Sequence, residues 1–399
     1  MFGKASILLV LGFSLIFLIA QSNSNSISTN SVENVSEYFL ETEAHNLAIS
    51  GANLAANEMF ENAAWTEGFE NVDIDGKTLN VTVQTIDEEK NIKKITATGI
   101  VEDVSKTVEV TLQPSKFSKF AYMSISDPTN LYWTHSDTIW GPFHQQNNIK
   151  ASGHPVFMGK VTTNGTVEYQ TSKAVDEPEF NGGFQNNVNL TFPSGQITNL
   201  ESKAVFGGKV FNNTVSDTIY LIFAGENIKW KKGFDKPETI EEGLVMAPNG
   251  VIFGKNVIFK IKGIVTGHYT VASNKDIYLE DDIVYSNDPR VDPASDDLLG
   301  IASLTNVKIA NTPANQHDIN IDASIYCEQG GFGAGWSSFP INNGKINLLG
   351  GIQNYKRVQI GVIGGYGFSR NYRYDERLRI LFPPFYPGTE KFEIISWYE

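Results

Sequence analysis

The chain has 399 residues, with 31 lysines and arginines against 45 aspartates and glutamates, a formal net charge of −14. This acidic balance excludes the nucleic-acid backbone as a partner, since nothing would neutralise its phosphates, and the single cysteine, Cys327, excludes an internal disulfide. The length allows two or three domains with cores of their own, and a hydrophobic content of 41% is ordinary for a globular protein.

The first element is an uncharged apolar run from Ala5 to Ala20 within "GKASILLVLGFSLIFLIA". As a helix it spans about 24 Å, slightly short of a ~30 Å hydrocarbon core. Ile7, Leu8, Leu9, Leu11, Phe13, Leu15, Ile16, Phe17 and Leu18 are the expected membrane-anchor side chains, and Lys4 before them keeps the N-terminus cytoplasmic. The alternative is a secretory signal peptide. Cleavage after Ala20 would place Leu18 where a small residue is wanted, so a retained membrane helix is preferred.

"QSNSNSISTNS" follows, polar and poor in helix formers, and is expected to be a short flexible joint. Helix signals resume near Ser31 and end near Asn62, about 48 Å of helix. Its face is unusual: Ala44, Ala48, Gly51, Ala52 and Ala55 recur at helical spacing with a glycine among them, although glycine costs a helix interior about 1 kcal/mol against alanine. Small residues allow close approach, so this face marks where the helix meets another element. Two covers suit it, the chain's own β-domain or neighbouring helices in a filament. On either reading Gly51→Leu destabilises the fold or its assembly.

Three alternating runs come next, Leu79 to Ile86, Ile92 to Val101 and Thr107 to Leu112, separated by polar turns. They predict an antiparallel meander with one buried face, for which the preceding helix is the nearest cover. "PSKFSK" around Pro114 reads as a linker. The remainder consists of short β-prone runs broken by Gly, Asn and Asp turns, clearest from Val257 to Tyr285, and suits the stacked coils of an irregular, right-handed β-helix-like solenoid, with a β-sandwich as the alternative. The expected organisation is therefore mainly β with a long N-terminal helix. Residues 1–26 form leader, apolar helix and joint; 27–115 the helix and meander; 116–399 the solenoid.

The apolar run after Gly3, the block "EAHNLAISGANLAANEMFEN" and the strands of "TATGIVEDVSKTVEVTL" together resemble type IV pilin-like proteins of the PilX minor-pilin class over roughly residues 1–113. The resemblance implies leader cleavage between Gly3 and Lys4. The fifth mature position would then be Leu8, where many major pilins carry Glu, which points to a minor or accessory subunit. The pieces "IWGPFHQQNNIKASGHPVFMGKVTT", "NIDASIYCEQGGFGAG" and "GFSRNYRYDERLRILFPPFYPGTEKFEIISWYE" resemble a domain of unknown function attached to such N-termini, implying an extracytoplasmic β-helical domain and no reaction.

No G-x-S-x-G, H-E-x-x-H or P-loop pattern is present, and neither a catalytic centre nor a cofactor is expected. His144 and His154 are read as separate loop histidines rather than metal ligands. The loop from Asp281 to Asp297, with Asp282, Asp288, Asp292 and Asp296, offers oxygen ligands of the kind calcium takes, but a solvated loop is the preferred reading. "YRYDERLR" is expected to be a salt-bridged cap on the end of the solenoid, with the tail from "PPFYPG" to the final "WYE" wrapping its last coil and covering its open strand edge. Trp133, Trp140 and Trp336 suit either sugar stacking or core packing. The expected protein is non-enzymatic and anchored in the inner membrane of a bacterial envelope, with the membrane, other pilin-like subunits and a surface glycan as partners. Its rival is a tethered polysaccharide-binding or polysaccharide-active β-helix protein.

Overall fold

The computed structural model describes residues 2–88, 90–214, 217–335, 340, 344–362 and 365–399, with side chains from Ile7 onward. Helix α1 runs unbroken from Phe2 to Glu61. The expected joint at Gln21–Ser31 is therefore helical. It contains no Gly or Pro, Ser and Asn cost a helix only about half a kcal/mol each, and propagation from strong helix formers on both sides carries the helix through.

The chain divides into two compact units, Met1–Pro114 with Glu390–Glu399, and Ser115–Thr389. This corrects the three-part division, because the last ten residues belong with the N-terminal helix. The first unit holds α1 and the strands β1 (Phe69–Ile74), β2 (Lys77–Asp87), β3 (Ile92–Val101) and β4 (Val104–Lys116), followed in sheet order by the last strand, Gly388–Tyr398. β1 to β4 pair antiparallel in sequence order. The meander is thus as expected, enlarged by β1 and the last strand. "PSKFSK" is not a linker, since β4 continues through Pro114 to Lys116 and a 3₁₀ turn, Phe117–Lys119, follows at once. In β3 burial alternates strictly, turning Ile95, Ala97, Gly99 and Val101 toward the helix.

In the second unit short parallel strands stack in register as coils. One row of inward side chains reads Ile252, Val271, Ile301, Ile325, Ile352, Tyr122, Phe143, Val161, Phe184. The row is continuous in space and broken in sequence: after Ile352 the next coil holds Tyr122. The chain enters the solenoid in its middle and winds to one end at Phe184–Gln185. It then passes back along the flank and begins again at the other end with Lys209–Asn212. The two windings meet where Gly344–Lys356 pairs with Tyr122–Ser126 and Phe368–Arg373 pairs with Thr138–Trp140.

The returning segment covers the outside of one sheet. The helix Gln196–Gly207 buries Ile197, Leu200 and Ala204 in a cluster with Phe253, Ala272, Ala302, Tyr326, Met123 and Tyr386. Glu328 accepts hydrogen bonds from Gly195 N at 2.7 Å and Ile197 N at 2.8 Å, placing a carboxylate at the start of this helix, where unsatisfied N–H groups favour negative charge. Along one corner of the coils runs a buried polar column, Ser273, Ser303, Cys327, Asn354, Ser124, Gln145 and Thr163. Its hydroxyls and amides donate to turn carbonyls: Ser273 to Val257 at 2.6 Å, Ser303 to Lys275 at 2.9 Å, and Thr163 to Asn147 at 2.7 Å. The column thus satisfies backbone acceptors that the sharp corners leave unpaired. The expected cap of Tyr374–Arg377 and the tail on an open end is not what the structure shows, because the last coil in sequence is an inner coil in space. Tyr386 is instead buried against the sheet, its hydroxyl donating to Gln353 at 2.6 Å.

Candidate functional site

The N-terminal helix carries two surfaces of different kinds. Every side chain from Ile7 to Phe39 is exposed. Among the expected anchor residues, exposure ranges from 57% at Phe13 to 73% at Phe17, with Ile7, Leu8, Leu9, Leu11, Leu15, Ile16 and Leu18 between. An apolar cylinder this open to water is a strong exception to the rule that large aliphatic residues are covered. By length and composition the helix is able to cross a membrane. Beyond it Val32, Val35 and Phe39 stay exposed, so this stripe has no cover among the described residues. The side chains of Gly3 and Lys4, the expected cleavage pair, lie outside the described residues.

The second surface is the small-residue face. Ala44, Ala48, Ala52 and Ala55 are fully buried and Gly51 is buried with them, in a core with Leu79, Val81, Ile95, Ala97, Val108 and Val110. Of the two covers the sequence allowed, the chain's own sheet is the one seen. A Cβ added at Gly51 would lie 2.5 Å from Leu79 Cδ1. The partner glycine is Gly99 on β3, where a Cβ would lie 2.2 Å from the carbonyl oxygen of Ala44 and 2.9 Å from Ala48 N. At Gly99 the strand thus meets helix backbone with no room for a methyl group, whereas at Gly51 the space is taken by the end of the Leu79 side chain.

Polar contacts hold the margins of this seat. Lys77 pairs with Glu43 at 3.0 Å and Lys106 with Glu41 at 2.9 Å. The last turn of α1 carries no basic residue of its own. Lys391, from the last strand, donates to Phe60 O at 2.8 Å, and Lys93 donates to Ala63 O at 3.0 Å just beyond the helix. Two cations recruited from elsewhere in the fold thus serve the negative end of the helix dipole. Burial lowers the pKa of Lys93 below the usual lysine range.

The other sequence candidates separate. His144 is buried, with Nδ1 2.9 Å from Thr162 Oγ1 and Nε2 3.0 Å from Gln146 Oε1, and desolvation lowers its pKa. His154 lies 2.9 Å from Glu177 O at the surface. Among the described residues no cluster of three or more His, Cys, Asp or Glu side chains is arranged to hold a metal ion. The loop carboxylates are engaged by protein donors. Asp288 takes a forked contact from Arg290 at 2.8 Å, Asp292 accepts from Asn287 at 2.7 Å, Asp297 accepts from Gly267 N at 2.6 Å, and Asp282 accepts from Asn320 at 2.8 Å. Asp375 and Arg377 form an ion pair at 2.7 Å, from which Arg377 also donates to Ser295 O and Asp297 O. Trp133 is core, ringed by Tyr122, Phe143 and Phe157. Trp140 is 47% exposed, and Trp336 lies outside the described residues.

Asp322, which sequence reading did not single out, is buried at the base of the acidic loop and accepts from Tyr285 N at 3.0 Å. Desolvation is the main cause that pushes its pKa up to about 6, with Arg290 pulling it down and Asp288 and Asp375 adding to the rise. A carboxyl raised in the folded state contributes stability that is fully present below its unfolded pKa and is lost as pH rises through the folded one. Between about pH 4 and pH 6 this group should therefore remove on the order of 2–3 kcal/mol. Urea unfolding of Asp322→Asn beside wild type at pH 4.5 and 7 checks this, since the opposing titration of His144 is common to both. The wild type should lose more stability over that interval, and parallel losses would refute the assignment.

No family model matches the chain, and no curated protein matches it. Among solved structures, the competence-associated pilin ComZ from Thermus thermophilus is similar at 9% identity and a TM-score of 0.39, over 84% of this chain and 86% of that one. A likeness at this level does not establish a family.

Proposed function

We propose that this protein is a membrane-tethered, pilin-like component of a bacterial cell envelope, a minor subunit that displays its solenoid outside the inner membrane and takes part in assembling a pilus or related surface structure. The observation that carries this reading is the single helix with two surfaces: an apolar N-terminal segment with no cover of its own, continuous with a small-residue face seated on a sheet. A rigid helix connects whatever holds its apolar end to the domain it carries, with no joint to absorb movement. The exposed stripe of Val32, Val35 and Phe39 is then available to helices of neighbouring subunits. The work is binding and assembly rather than catalysis, and contact with a surface glycan belongs to the same reading.

Membrane fractionation of the native chain tests the tether. It should resist extraction by high salt and alkaline carbonate and be released by detergent, and a variant lacking residues 2–20 should appear in the soluble fraction. Mass spectrometry should place the mature start at Lys4, and other pilin-type subunits should co-purify. A full-length protein freely soluble without detergent, or a mature start near Gln21, would overturn the proposal. Turnover of a polysaccharide by the purified chain would overturn its non-enzymatic part.

A further inference from the structure

The seam between the two windings builds a groove that neither winding contains alone. Across it four strands lie side by side in register, so that Asn320, Asn347, Asn371 and Thr138 form one outward row, and Asp322, Leu349, Arg373 and Trp140 form the next. Neighbouring positions in a row are about 4.8 Å apart. Asp322 and Leu349 are covered, while Arg373 and Trp140 remain open. The resulting groove, about 330 Å³, is lined by Trp140, Arg290, Asn347, Leu348, Asn371 and Arg373.

Each wall is held in place. The amides form a ladder, Asn371 donating to Asn347 at 2.8 Å, Asn347 to Asn320 at 3.2 Å, and Asn320 to Asp282 at 2.8 Å. Arg290 is locked by its fork to Asp288. Its loop is pinned at the base by Asn287 N to Asp297 at 2.9 Å and by Arg377 to Ser295 O at 2.8 Å. The groove is therefore preformed, and a ligand need not order it. Trp140 takes part in no ring contact among the described residues, unlike the buried Trp133 on the same winding. Its neighbour Arg373 donates no hydrogen bond and forms no ion pair among the described residues, although its charge is felt at Asp288. An open indole face beside a row of amides is the chemistry that takes the apolar C–H face of a sugar ring and reads its hydroxyls. An arginine whose fork is not engaged suits a carboxylate; of the other charges nearby, Asp288 with Arg290 and Asp375 with Arg377 are paired, and Asp322 is buried and held by Tyr285 N.

We propose that this groove binds a carboxylate-bearing saccharide unit, with Trp140 as the stacking platform, Arg373 as the partner of the carboxylate, and the Asn347 and Asn371 amides at the ring hydroxyls. This deepens the glycan-contact part of the reading above by naming a site and a ligand class. At about 330 Å³ the groove takes a single unit, which fits as one residue of a longer acidic chain.

Calorimetric titration of the full-length chain in detergent, with oligogalacturonate and the matching neutral galactose oligomer as probes, tests it. The acidic oligomer should bind at least tenfold more tightly. Trp140→Ala should abolish binding of both, and Arg373→Gln should remove the preference for the acidic one. Both side chains lie at the surface, so circular dichroism of the variants should match wild type. No binding of either probe, equal binding of the two, or binding of the acidic probe unchanged in Trp140→Ala overturns the proposal. A negative result leaves the membrane tether standing, and a freely soluble chain that still binds the acidic oligomer through Trp140 would remove the tether and keep the groove.

Discussion

Replacing Gly99 with alanine should destabilise the first unit by about 2–3 kcal/mol, the upper part of the range for an overpacked core. The added methyl would sit 2.2 Å from the Ala44 carbonyl oxygen, 2.9 Å from Ala48 N and 2.9 Å from Leu47 Cβ. Two of these are backbone atoms of a helix and have no rotamer to change, so the helix and strand must move apart, loosening the contacts of Ala48, Ile95, Ala97 and Val108. Gly51→Ala is the internal comparison. Its nearest neighbour is the far end of the Leu79 side chain, which is free to shift, and alanine restores about 1 kcal/mol of helix propensity, so its effect should stay below 1 kcal/mol. Gly51→Leu, far larger, should behave like Gly99→Ala. Amide exchange read by mass spectrometry on peptides from residues 44–59 and 92–101 resolves this unit from the solenoid. Roughly 30- to 150-fold faster exchange is expected for Gly99→Ala. Equal exchange in Gly99→Ala and Gly51→Ala would show that the close approach carries no energetic weight.

A second large effect is expected at the seam. Arg357 is buried and reaches across it to Asp127 at 3.3 Å and to Tyr132 O at 2.9 Å, with its guanidinium 3.9 Å from the centre of the Trp133 ring. Arg370 pairs with Asp137 at 2.7 Å, its guanidinium 5.0 Å from the centre of the same indole. Both arginines come from the later winding, and both aspartates and the tryptophan from the earlier one. Arg357→Met keeps most of the volume but leaves the Asp127 carboxylate, among the described residues, with the neutral donors Gln145 Nε2 at 2.8 Å and Ser124 Oγ at 3.1 Å. Breaking a buried pair by removing one partner costs about 3–5 kcal/mol, whereas replacing both partners with apolar groups is often close to neutral. The double variant Asp127→Leu with Arg357→Met should therefore recover much of what the single variant loses. Urea unfolding, with exchange monitored on residues 122–126 and 352–356, measures both. A double variant as unstable as the two single losses combined would indicate that the pair holds no seam and that each residue acts alone.

Much of the first unit was legible because local patterns and the final contacts agree. β3 was placed from Ile92 to Val101 by strict alternation, and its buried positions are the alternate residues. The spacing of Ala44, Ala48, Gly51, Ala52 and Ala55 identified the face that packs, although not which of two covers it meets. β1 was missed because five of its six residues are exposed or polar, which removes the alternation. The last strand was read as a wrap for the solenoid, because nothing in its own residues says which sheet it joins. The expected joint failed for a related reason: "QSNSNSISTNS" is weak in helix propensity, but continuity with the helices on both sides outweighs a few tenths of a kcal/mol per residue. The polar corner column had a faint signal, in that strands ending in Ser273, Ser303, Cys327, Gln145 and Thr163 are followed directly by a turn. The coils differ in length, so these positions fall at no strict period along the sequence.

The apolar N-terminal helix, the small-residue face, the meander and the series of short coils are written in the residue order, since each depends on the spacing of neighbouring residues along one element. Only the tertiary structure decided that the helix is unbroken, that Gly99 is the counterpart of the alanine face, and that the coil after Ile352 is the one holding Tyr122. The groove between Arg373 and Trp140 and the ion pairs of Arg357 and Arg370 follow from that last fact. They join residues more than two hundred positions apart, and such contacts are set by which strand edges remain open when the two windings meet, which periodicity within a strand does not encode.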